Sequence, residues 1–518
     1  MGDLILAYDI GTTGAKVSLF NFGNKVDLIG SAYKQYETYY PKPNWLEQSP
    51  KDWWEAVVVS TNEIIREKNV DRKKIAAISF SGQMMCAIPI NKNGELLMDR
   101  IPIWADARST EQVKKIFEII GGYEEFYRIT MQGHNPELYS IFKAMWIKEN
   151  FSPVYKETEK FIHAKEYIAL RMTGKFLTDY SDQGLGGTLD MRKHTWSDEM
   201  LRASGIGQDK FPELHNSIDL VGHLTEEAAK LLDLVKGIPV ILGAGDGPCA
   251  AAGAGAMVPG DAYFYIGSAS WGGAINEKPV GDFDTKIIVE PHVAPNLSTS
   301  IYVMYTGGIA QQWAVETLFS KPDIKIDYYK YLSKLAEKVP PEEDTLIFLP
   351  FMRPGGAPYN NLNARGVFVG LGLNHRPEHL YKAVLEGVCF TIKLLLNRFE
   401  KMSGNKLPMF NIIGGGTKNP YWMQLLSDIT NRQIQTPKLK QEANCLGAAI
   451  TAAIGVGLIN NFSEAKKFIK PEKTYLPNPD DAYYHDKKYD AFLFIYEDLL
   501  KSFDRIADLE QDFVKKYY

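Results

Sequence analysis

Short apolar runs that end in small or polar residues recur along this chain of 518 residues. The first runs from Leu4 to Asp9, and Val17 to Phe20 resumes a strand pattern after a Gly/Thr turn. Ile75 to Phe80 and Val240 to Leu242 are typical of buried strands, and Ala262 to Ile266 leads into a second small-residue turn. Because helical patterns alternate with these strands, the chain is predicted to have an α/β fold.

The other elements follow from composition and periodicity. Lys51 to Glu67 is predicted to be a helix, and Glu442 to Ala453 an Ala/Gly-rich helix suited to close packing. Ile101 to Arg108 is expected to be extended. Residues 480–518 are predicted to form one charged amphipathic helix without chemistry.

Length and composition limit the classes of function. A chain of this length exceeds what one core supports, so we expect two large domains, 1–247 and 248–518. The net charge of −5 and a pI near 6.1 predict neither a nucleic-acid nor a membrane partner. Four scattered cysteines without metal-ligand spacing, and the absence of a signal-peptide pattern, predict a cytoplasmic protein with reduced thiols. The sequence leaves open whether the protein forms a homodimer.

The segment Asp9 to Lys16, D-I-G-T-T-G-A-K, joins two predicted strands. Its tip offers backbone N–H groups, two hydroxyls and a lysine to an anion. The preceding carboxylate of Asp9 could hold a phosphate-bound Mg²⁺ through water. The structural alternative is a plain hairpin. Gly267 and Ser268 form a similar turn after another strand, which indicates an internal duplication with two phosphate-facing hairpins.

One carboxylate, Asp246, lies in the small-residue stretch 238–260 directly after a predicted strand. Strand ends are where α/β folds place their chemistry. The alternative is a packing segment in which Asp246 only caps the following helix.

Polar and aromatic residues suited to a polyhydroxylated ligand follow two other predicted strands. An amide or carboxylate can pair with hydroxyls, and an indole can cover the apolar face of a sugar. The structural alternatives are a core position for the tryptophan and a surface ion pair for Asp106 with Arg108. The candidate residues are Gln83, Met84, Met85, Trp104, Asp106 and Arg108.

Two further glycine-rich stretches can let a ring or phosphate approach the backbone. The first opens a helix and includes Gly308 and Gln312. The second follows a strand and includes Gly415, Gly416 and Asn419. The chain contains neither a P-loop motif nor a dinucleotide-binding glycine motif.

Taken together, the motifs resemble the FGGY family of carbohydrate kinases over roughly residues 3 to 460. The motifs occur in the family's order: D-I-G-T-T-G-A-K, W-L-E-Q-S-P, S-G-Q-M, W-A-D-A-R, G-A-G-D-G, Y-I-G-S-A-S, G-G-G-T-K-N and E-A-N-C-L-G-A-A. The resemblance implies two actin-like, ribonuclease-H-like (ASKHA) domains with a cleft for ATP and sugar between them. It also implies a kinase that uses ATP and Mg²⁺.

The same resemblance assigns roles to residues. Asp246 would be the general base, and Asp9 would position Mg²⁺ through water. Gly11, Thr12, Thr13 and Lys16 would face the phosphates. The nucleotide-side positions would be Gly267, Ser268, Gly308, Gln312, Gly415, Gly416 and Asn419.

The substrate motifs look most like those of xylulose kinases, which implies phosphorylation of D-xylulose to D-xylulose 5-phosphate. Two departures stand out: Met85 replaces a histidine, and Gly247 replaces the asparagine that usually follows the base. W-A-D-x-R and D-G are similar to gluconate kinases, so a sugar acid, or another polyol or ketose, is the alternative acceptor. The alternative class is an ATP-driven module of the actin or chaperone type.

Overall fold

The computed structural model describes residues 3–133, 135–318, 327–340 and 344–517. The chain divides into two compact units that are interleaved along the sequence. Unit 1 comprises Met1–Pro259, Ile275–Ser300 and Glu442–Lys470, and unit 2 comprises Gly260–Ala274, Ile301–Gln441 and Pro471–Tyr518. The predicted domains, 1–247 and 248–518, stay a prediction. The compact units differ from them by segments 248–259, 275–300 and 442–470.

The strands are short except around the first hairpin. In chain order they are β1 (Leu4–Ile10), β2 (Gly14–Phe22), β3 (Val26–Gln35), β4 (Glu47–Gln48), β5 (Ile75–Gly82), β6 (Ile88–Ile90), β7 (Ile101–Pro102), β8 (Lys160–Ile162), β9 (Leu177–Asp179), β10 (Leu189–Asp190), β11 (Thr195–Trp196), β12 (Glu213–His215), β13 (Leu220–His223), β14 (Pro239–Ile241), β15 (Ala244–Gly245), β16 (Ala262–Ile266), β17 (Ser270–Asn276), β18 (Ile288–Pro291), β19 (Ser298–Met304), β20 (Ile347–Pro350), β21 (Gly366–Val369), β22 (Met409–Ile413), β23 (Gln433–Pro437) and β24 (Pro471–Tyr475).

The helices range from single turns to α13, which is the longest. They are α1 (Pro50–Glu67), α2 (Thr110–Ile120), α3 (Tyr123–Thr130), α4 (Ser140–Asn150), α5 (Ser152–Glu157), α6 (Ala164–Thr173), α7 (Tyr180–Gln183), α8 (Asp198–Ser204), α9 (Glu226–Leu231), α10 (Asp246–Gly253), α11 (Gly308–Leu318), α12 (Tyr328–Ala336), α13 (Pro377–Ser403), α14 (Pro420–Thr430), α15 (Ala443–Gly455), α16 (Phe462–Ala465), α17 (Ala482–Asp498) and α18 (Leu500–Tyr517). Within the described residues, none of them combines the length and the apolar character needed to cross a bilayer.

Unit 1 is built on a mixed sheet whose strands follow the order β13-β14-β5-β1-β2-β3. β1 runs antiparallel to β2 and parallel to β5, and β15 also pairs with β5. The central strands are buried on both faces, as their near-continuous apolar sequence predicts. The predictions of strands at 4–9, 17–20, 75–80 and 240–242 are therefore confirmed. The predicted helix at 51–67 is also confirmed, beginning one residue earlier at Pro50.

Two small-residue helices of unit 1, α10 and α15, pack at very close range. A Cβ at Gly253 would lie 1.8 Å from the carbonyl oxygen of Ala443, and one at Gly447 would lie 2.0 Å from that of Cys249. Only glycine permits such an approach. The prediction of a close-packing Ala/Gly helix is confirmed, with bounds Ala443–Gly455.

Unit 2 contains a second sheet with the strand order β19-β17-β16-β22-β23-β24. β16 runs antiparallel to β17 and parallel to β22. This arrangement repeats the one in unit 1, where β1 runs antiparallel to β2 and parallel to β5. The predicted second hairpin is confirmed, and each unit carries one tight turn at the same topological place.

Two element predictions are wrong in part. The tail is not one helix: α17 begins at Ala482, and a break at Leu499 separates it from α18. α17 is held within unit 2 because buried Lys488 pairs with Asp344 at 3.1 Å and with Glu386. The segment 101–108, predicted to be extended, is a strand only at Ile101–Pro102. Its remaining residues form turns and irregular structure.

Candidate active site

The first predicted phosphate turn is a tight hairpin at the end of β1 and β2. Asp9 lies opposite Lys16 in the antiparallel register. Gly11 N–H donates to the Gly14 carbonyl at 3.1 Å, which closes the turn. A Cβ at Gly14 would lie 2.5 Å from the Lys34 carbonyl oxygen, so the neighbouring strand β3 requires glycine there. Gly11, Thr12 and Lys16 are partly exposed and Thr13 is exposed, so this tip is accessible to a ligand.

Asp9 is held in place by two side chains from other elements of unit 1. Ser81 Oγ donates to Asp9 Oδ1 at 2.7 Å, and Asn444 Nδ2 donates to the same oxygen at 3.3 Å. Neither hydrogen bond uses Oδ2. Burial raises the pKa of Asp9, while these two donors and Lys16 oppose the rise.

This donor set fits a magnesium ion. Mg²⁺ prefers hard oxygen ligands, keeps several waters, and is usually bound through one or two carboxylates. Asp9 offers such a carboxylate next to the hairpin, and its negative charge is felt at Asp246, whose pKa it raises. A bound cation would therefore relieve repulsion between two carboxylates.

Asp246 is the first residue of helix α10 and directly follows strand β15, which pairs with β5. Gly243 has φ +68°, and a Cβ there would lie 2.0 Å from the Phe80 carbonyl oxygen. Only glycine therefore fits at this position beside β5. Gly245 is the N-cap residue, and Asp246 is the first residue of the helix rather than its N-cap. Gly247 N–H donates to Asp246 Oδ1 at 2.9 Å.

The protonation of Asp246 suits a general base. The residue is partly exposed, but protein surrounds its carboxyl. Burial and then the charge of Asp9 raise its pKa to about 7, opposed by the Gly247 N–H. A base with a pKa near the working pH accepts a proton most effectively. This arrangement could remove a proton from a hydroxyl bound beside it.

The three predicted sugar residues at the end of β5 have different environments. Gln83 is buried, and its Nε2 donates to Gln48 Oε1 at 2.9 Å, below the first hairpin. Met84 is buried beneath Gly245, where a Cβ would meet its sulfur at 2.4 Å. Met85 is partly exposed and adopts φ +58°, a conformation that is uncommon for a non-glycine residue.

The three predicted sugar residues of the W-A-D-A-R segment also differ. Trp104 is 36% exposed, and its Nε1 donates to Thr12 Oγ1 at 2.8 Å, so it lies against the hairpin rather than in the core. Arg108 pairs with Asp106 at 2.7 Å and Glu47 at 2.8 Å, and the arginine side chain is only 1% exposed. The proposed pairing of Asp106 with Arg108 is therefore real, but it is buried and does not lie on the surface.

A lysine that belongs to none of the sequence motifs connects these two segments. Lys143 Nζ donates to the carbonyl oxygens of Met85 at 2.9 Å and Trp104 at 3.2 Å, and also to that of Leu138. Burial lowers the pKa of Lys143 to about 7. No motif marked this residue, because its function is to bind backbone carbonyls that become neighbours only in the fold.

Unit 2 carries a separate cavity of about 700 Å³. Gly308 N–H donates to the Gly267 carbonyl at 2.6 Å, which fixes the start of α11 against the second hairpin turn. Asn419 caps α14 through Oδ1, and its Nδ2 reaches Ser333 at 3.0 Å. All the nucleotide-side residues predicted in this half line the cavity: Gly267, Ser268, Gly308, Gln312, Gly415, Gly416 and Asn419.

A cluster of buried ionisable residues lies behind the Asp246 loop. The ligand atoms of His163, Glu166 and Asp182 lie within 4.8 Å of one another. Lys165 Nζ lies 2.9 Å from Asp179 and 3.4 Å from Asp182, so a cation already neutralises the acids. This cluster therefore fits an internal charge network, and Ser181 Oγ, which bonds to Asp179, links it to the loop by accepting from Gly245 N–H at 3.3 Å.

Comparison with known proteins matches two domain families to most of the chain. The N-terminal domain of the FGGY family of carbohydrate kinases matches residues 4–253, and the C-terminal domain of that family matches residues 289–456. The chain belongs to the FGGY family of carbohydrate kinases. Sugar kinases of this family use ATP.

Individual relatives carry two different substrate names. The chain is 28% identical to a gluconokinase of Bacillus subtilis over 99% of both chains. It is also 28% identical to a xylulose kinase of the same organism, covering 95% of this chain and 96% of that one. A ligand-bound xylulose kinase from Lactobacillus acidophilus has a TM-score of 0.85 and 28% identity, covering 97% and 99%. Equal identities to both kinds of kinase leave the sugar undetermined.

Proposed function

We propose that this kinase transfers the γ-phosphoryl group of ATP to a hydroxyl of D-xylulose and forms D-xylulose 5-phosphate. The observation that carries the proposal is Asp246, a partly exposed carboxylate at a strand end whose pKa is raised to about 7. It is the group in unit 1 best placed to accept the proton of an attacking hydroxyl. Phosphoryl transfer otherwise depends on positioning and on neutralising charge.

The remaining roles follow from the two site regions. Asp9, oriented by Ser81 and Asn444, would hold the magnesium that neutralises phosphate charge. The N–H groups of the first hairpin, with Thr12, Thr13 and Lys16, would bind phosphate oxygens. The cavity of unit 2 would take the nucleotide, with Gly415 and Gly416 close to the ring.

D-xylulose is the proposed acceptor because the motifs W-L-E-Q-S-P and S-G-Q-M look most like those of xylulose kinases. Gluconate is the second candidate, favoured by W-A-D-x-R, by D-G at Asp246 and by the 28% identity to a gluconokinase. A sugar acid needs a cation for its carboxylate. Arg108, the cation of that motif, is already paired with Asp106 and Glu47.

A cytoplasmic location is part of the proposal. All four cysteines, Cys86, Cys249, Cys389 and Cys445, are free and buried, which suits a reducing compartment.

A panel of ketoses, polyols and sugar acids tests this function. Purified protein would be mixed with ATP, Mg²⁺ and one acceptor at a time, and ADP and phosphorylated sugar would both be measured. We expect ADP formation to require an acceptor and to be fastest with D-xylulose. Preference for gluconate would show that gluconate, and not D-xylulose, is the acceptor. ADP release independent of any acceptor would favour an ATP-driven module of the actin or chaperone type.

A further inference from the structure

A second carboxyl group lies next to Asp246 and has no role in the mechanism described so far. Glu290 is on β18 in unit 1 and is 1% exposed. Its Oε1 is buried and has no hydrogen-bond partner among the residues that the structure describes. A buried polar atom without a partner is destabilising, and such atoms are rare in folded proteins. This one therefore needs an explanation.

The position of this carboxyl group is defined by Gly247, the residue that follows the base. A Cβ at Gly247 would lie 3.1 Å from Glu290 Oε1 and 3.7 Å from Oε2. Gly247 itself is partly exposed, and its backbone has no unusual φ that would require glycine. Glu290 therefore lies in the space that a side chain at position 247 would enter, directly behind an accessible backbone segment.

The residue that follows the base is glycine, so position 247 offers no side-chain hydrogen bond beside Asp246. The unpaired carboxyl group of Glu290 lies where such a side chain would be. We infer that Glu290 supplies, from β18, hydrogen bonds to a substrate bound beside Asp246, and selects a neutral polyhydroxylated acceptor.

The charges around Glu290 support a neutral ligand. Burial raises the pKa of Glu290, and the negative charges of Asp246, Asp179 and Asp182 raise it further. Lys165 pairs with the last two acids, and His163 lies 2.8 Å from Asp182, so Asp246 is the uncompensated neighbour. A protonated carboxyl both donates and accepts hydrogen bonds, as a sugar hydroxyl does, whereas a sugar carboxylate would face the charge of Asp246.

The inference rests on the proposed kinase function, and four variants test it. Glu290→Leu and Glu290→Ala remove the hydrogen-bonding group, and Glu290→Gln keeps one donor and one acceptor. Glu290→Ala combined with Gly247→Asn moves the polar group to position 247. Glu111→Leu, at an exposed helix position, is the matched control. Each protein is assayed for melting temperature and for kcat and KM with ATP, D-xylulose and gluconate.

We expect Glu290→Leu to lower kcat/KM for D-xylulose about three- to tenfold, the effect of one hydrogen bond to a neutral hydroxyl, with KM for ATP unchanged. Its melting temperature should stay equal or rise, because an unpaired buried carboxyl is removed. Glu290→Gln should lose less activity. The double variant should recover activity relative to Glu290→Ala alone.

Each other outcome contradicts a specific part of the inference. A lower melting temperature with unchanged kcat/KM in Glu290→Leu would show that the residue is structural. Preference of the wild-type protein for gluconate would overturn the neutral substrate class. Wild-type protein without turnover on any acceptor would overturn the proposed function itself, whereas normal wild-type turnover with unaffected Glu290 variants would overturn only the role of Glu290.

Discussion

Gly415 offers the sharpest test of where the nucleotide binds. No heavy atom lies within 4 Å of the position that a Cβ would take at Gly415, and no positive φ requires glycine there. The residue lines the cavity of unit 2. The side chain in Gly415→Val would therefore project into the cavity without disturbing the fold.

The size of the effect follows from the area that the ring loses. An aromatic ring buries about 150–250 Å² in a protein site. If the valine removes about a third of this contact, the loss at about 25 cal/mol per Å² is about 1.3–2 kcal/mol. This free energy corresponds to a rise of about ten- to thirtyfold in the KM for ATP. The KM for the sugar should change little, because the predicted sugar residues all belong to unit 1.

Steady-state kinetics with both substrates varied would measure this effect, together with the melting temperature. Gly415→Ala should give a smaller rise than Gly415→Val. Gly23→Val is the matched control, because Gly23 is exposed, has no positive φ and also has no atom within 4 Å of the Cβ position. Equal rises in KM for ATP and for sugar, at an unchanged melting temperature, would refute the placement of the nucleotide beside Gly415.

Two other predictions concern unit 1. Because the pKa of Asp246 is raised to about 7 and the base must be deprotonated, kcat/KM should fall about tenfold per pH unit on the acid side. Magnesium beside Asp9 would lower the midpoint, so we expect it near or below pH 7 but well above the ordinary value of about 4 for aspartate; a profile flat from pH 8 to 5 would contradict this. Met85→His should raise kcat/KM for D-xylulose relative to gluconate by a few-fold to about tenfold, because one hydrogen bond to the sugar is gained. Histidine tolerates the left-handed backbone conformation of this position. An unchanged ratio with a lower melting temperature would mean that Met85 only packs against the core.

Much of the fold could be predicted from the sequence because local signals and tertiary structure agree. Both Gly/hydroxyl turns lie between antiparallel strands, as their spacing predicts. The Ala/Gly helix packs closely where Gly253 and Gly447 permit it. The interleaving of the units could not be predicted from local signals. Helix α15 follows residues of unit 2 along the chain but belongs to unit 1.

Some residues of the candidate site are marked by sequence motifs, and others are recognisable only in the fold. The glycines and Asn419 predicted for the nucleotide side all line one cavity of unit 2, and their role in binding nucleotide stays a prediction. Asp106 and Arg108 were assigned to the sugar from residue type, and only the fold shows that they are buried against each other. Glu290, Lys143 and Asn444 lie beside residues that are far away in sequence. Their partners could not be inferred without the structure.

The central claim is that Asp246 is the base of a sugar kinase, and turnover of Asp246→Asn tests it most directly. The variant would be compared with the wild-type protein for melting temperature, for nucleotide and sugar binding by calorimetry, and for phosphorylated sugar formed on D-xylulose. We expect folding and binding to be nearly unchanged and kcat to fall about 10²- to 10⁴-fold, the usual contribution of a general base. A variant that binds both substrates and keeps more than half of the wild-type kcat would contradict the account.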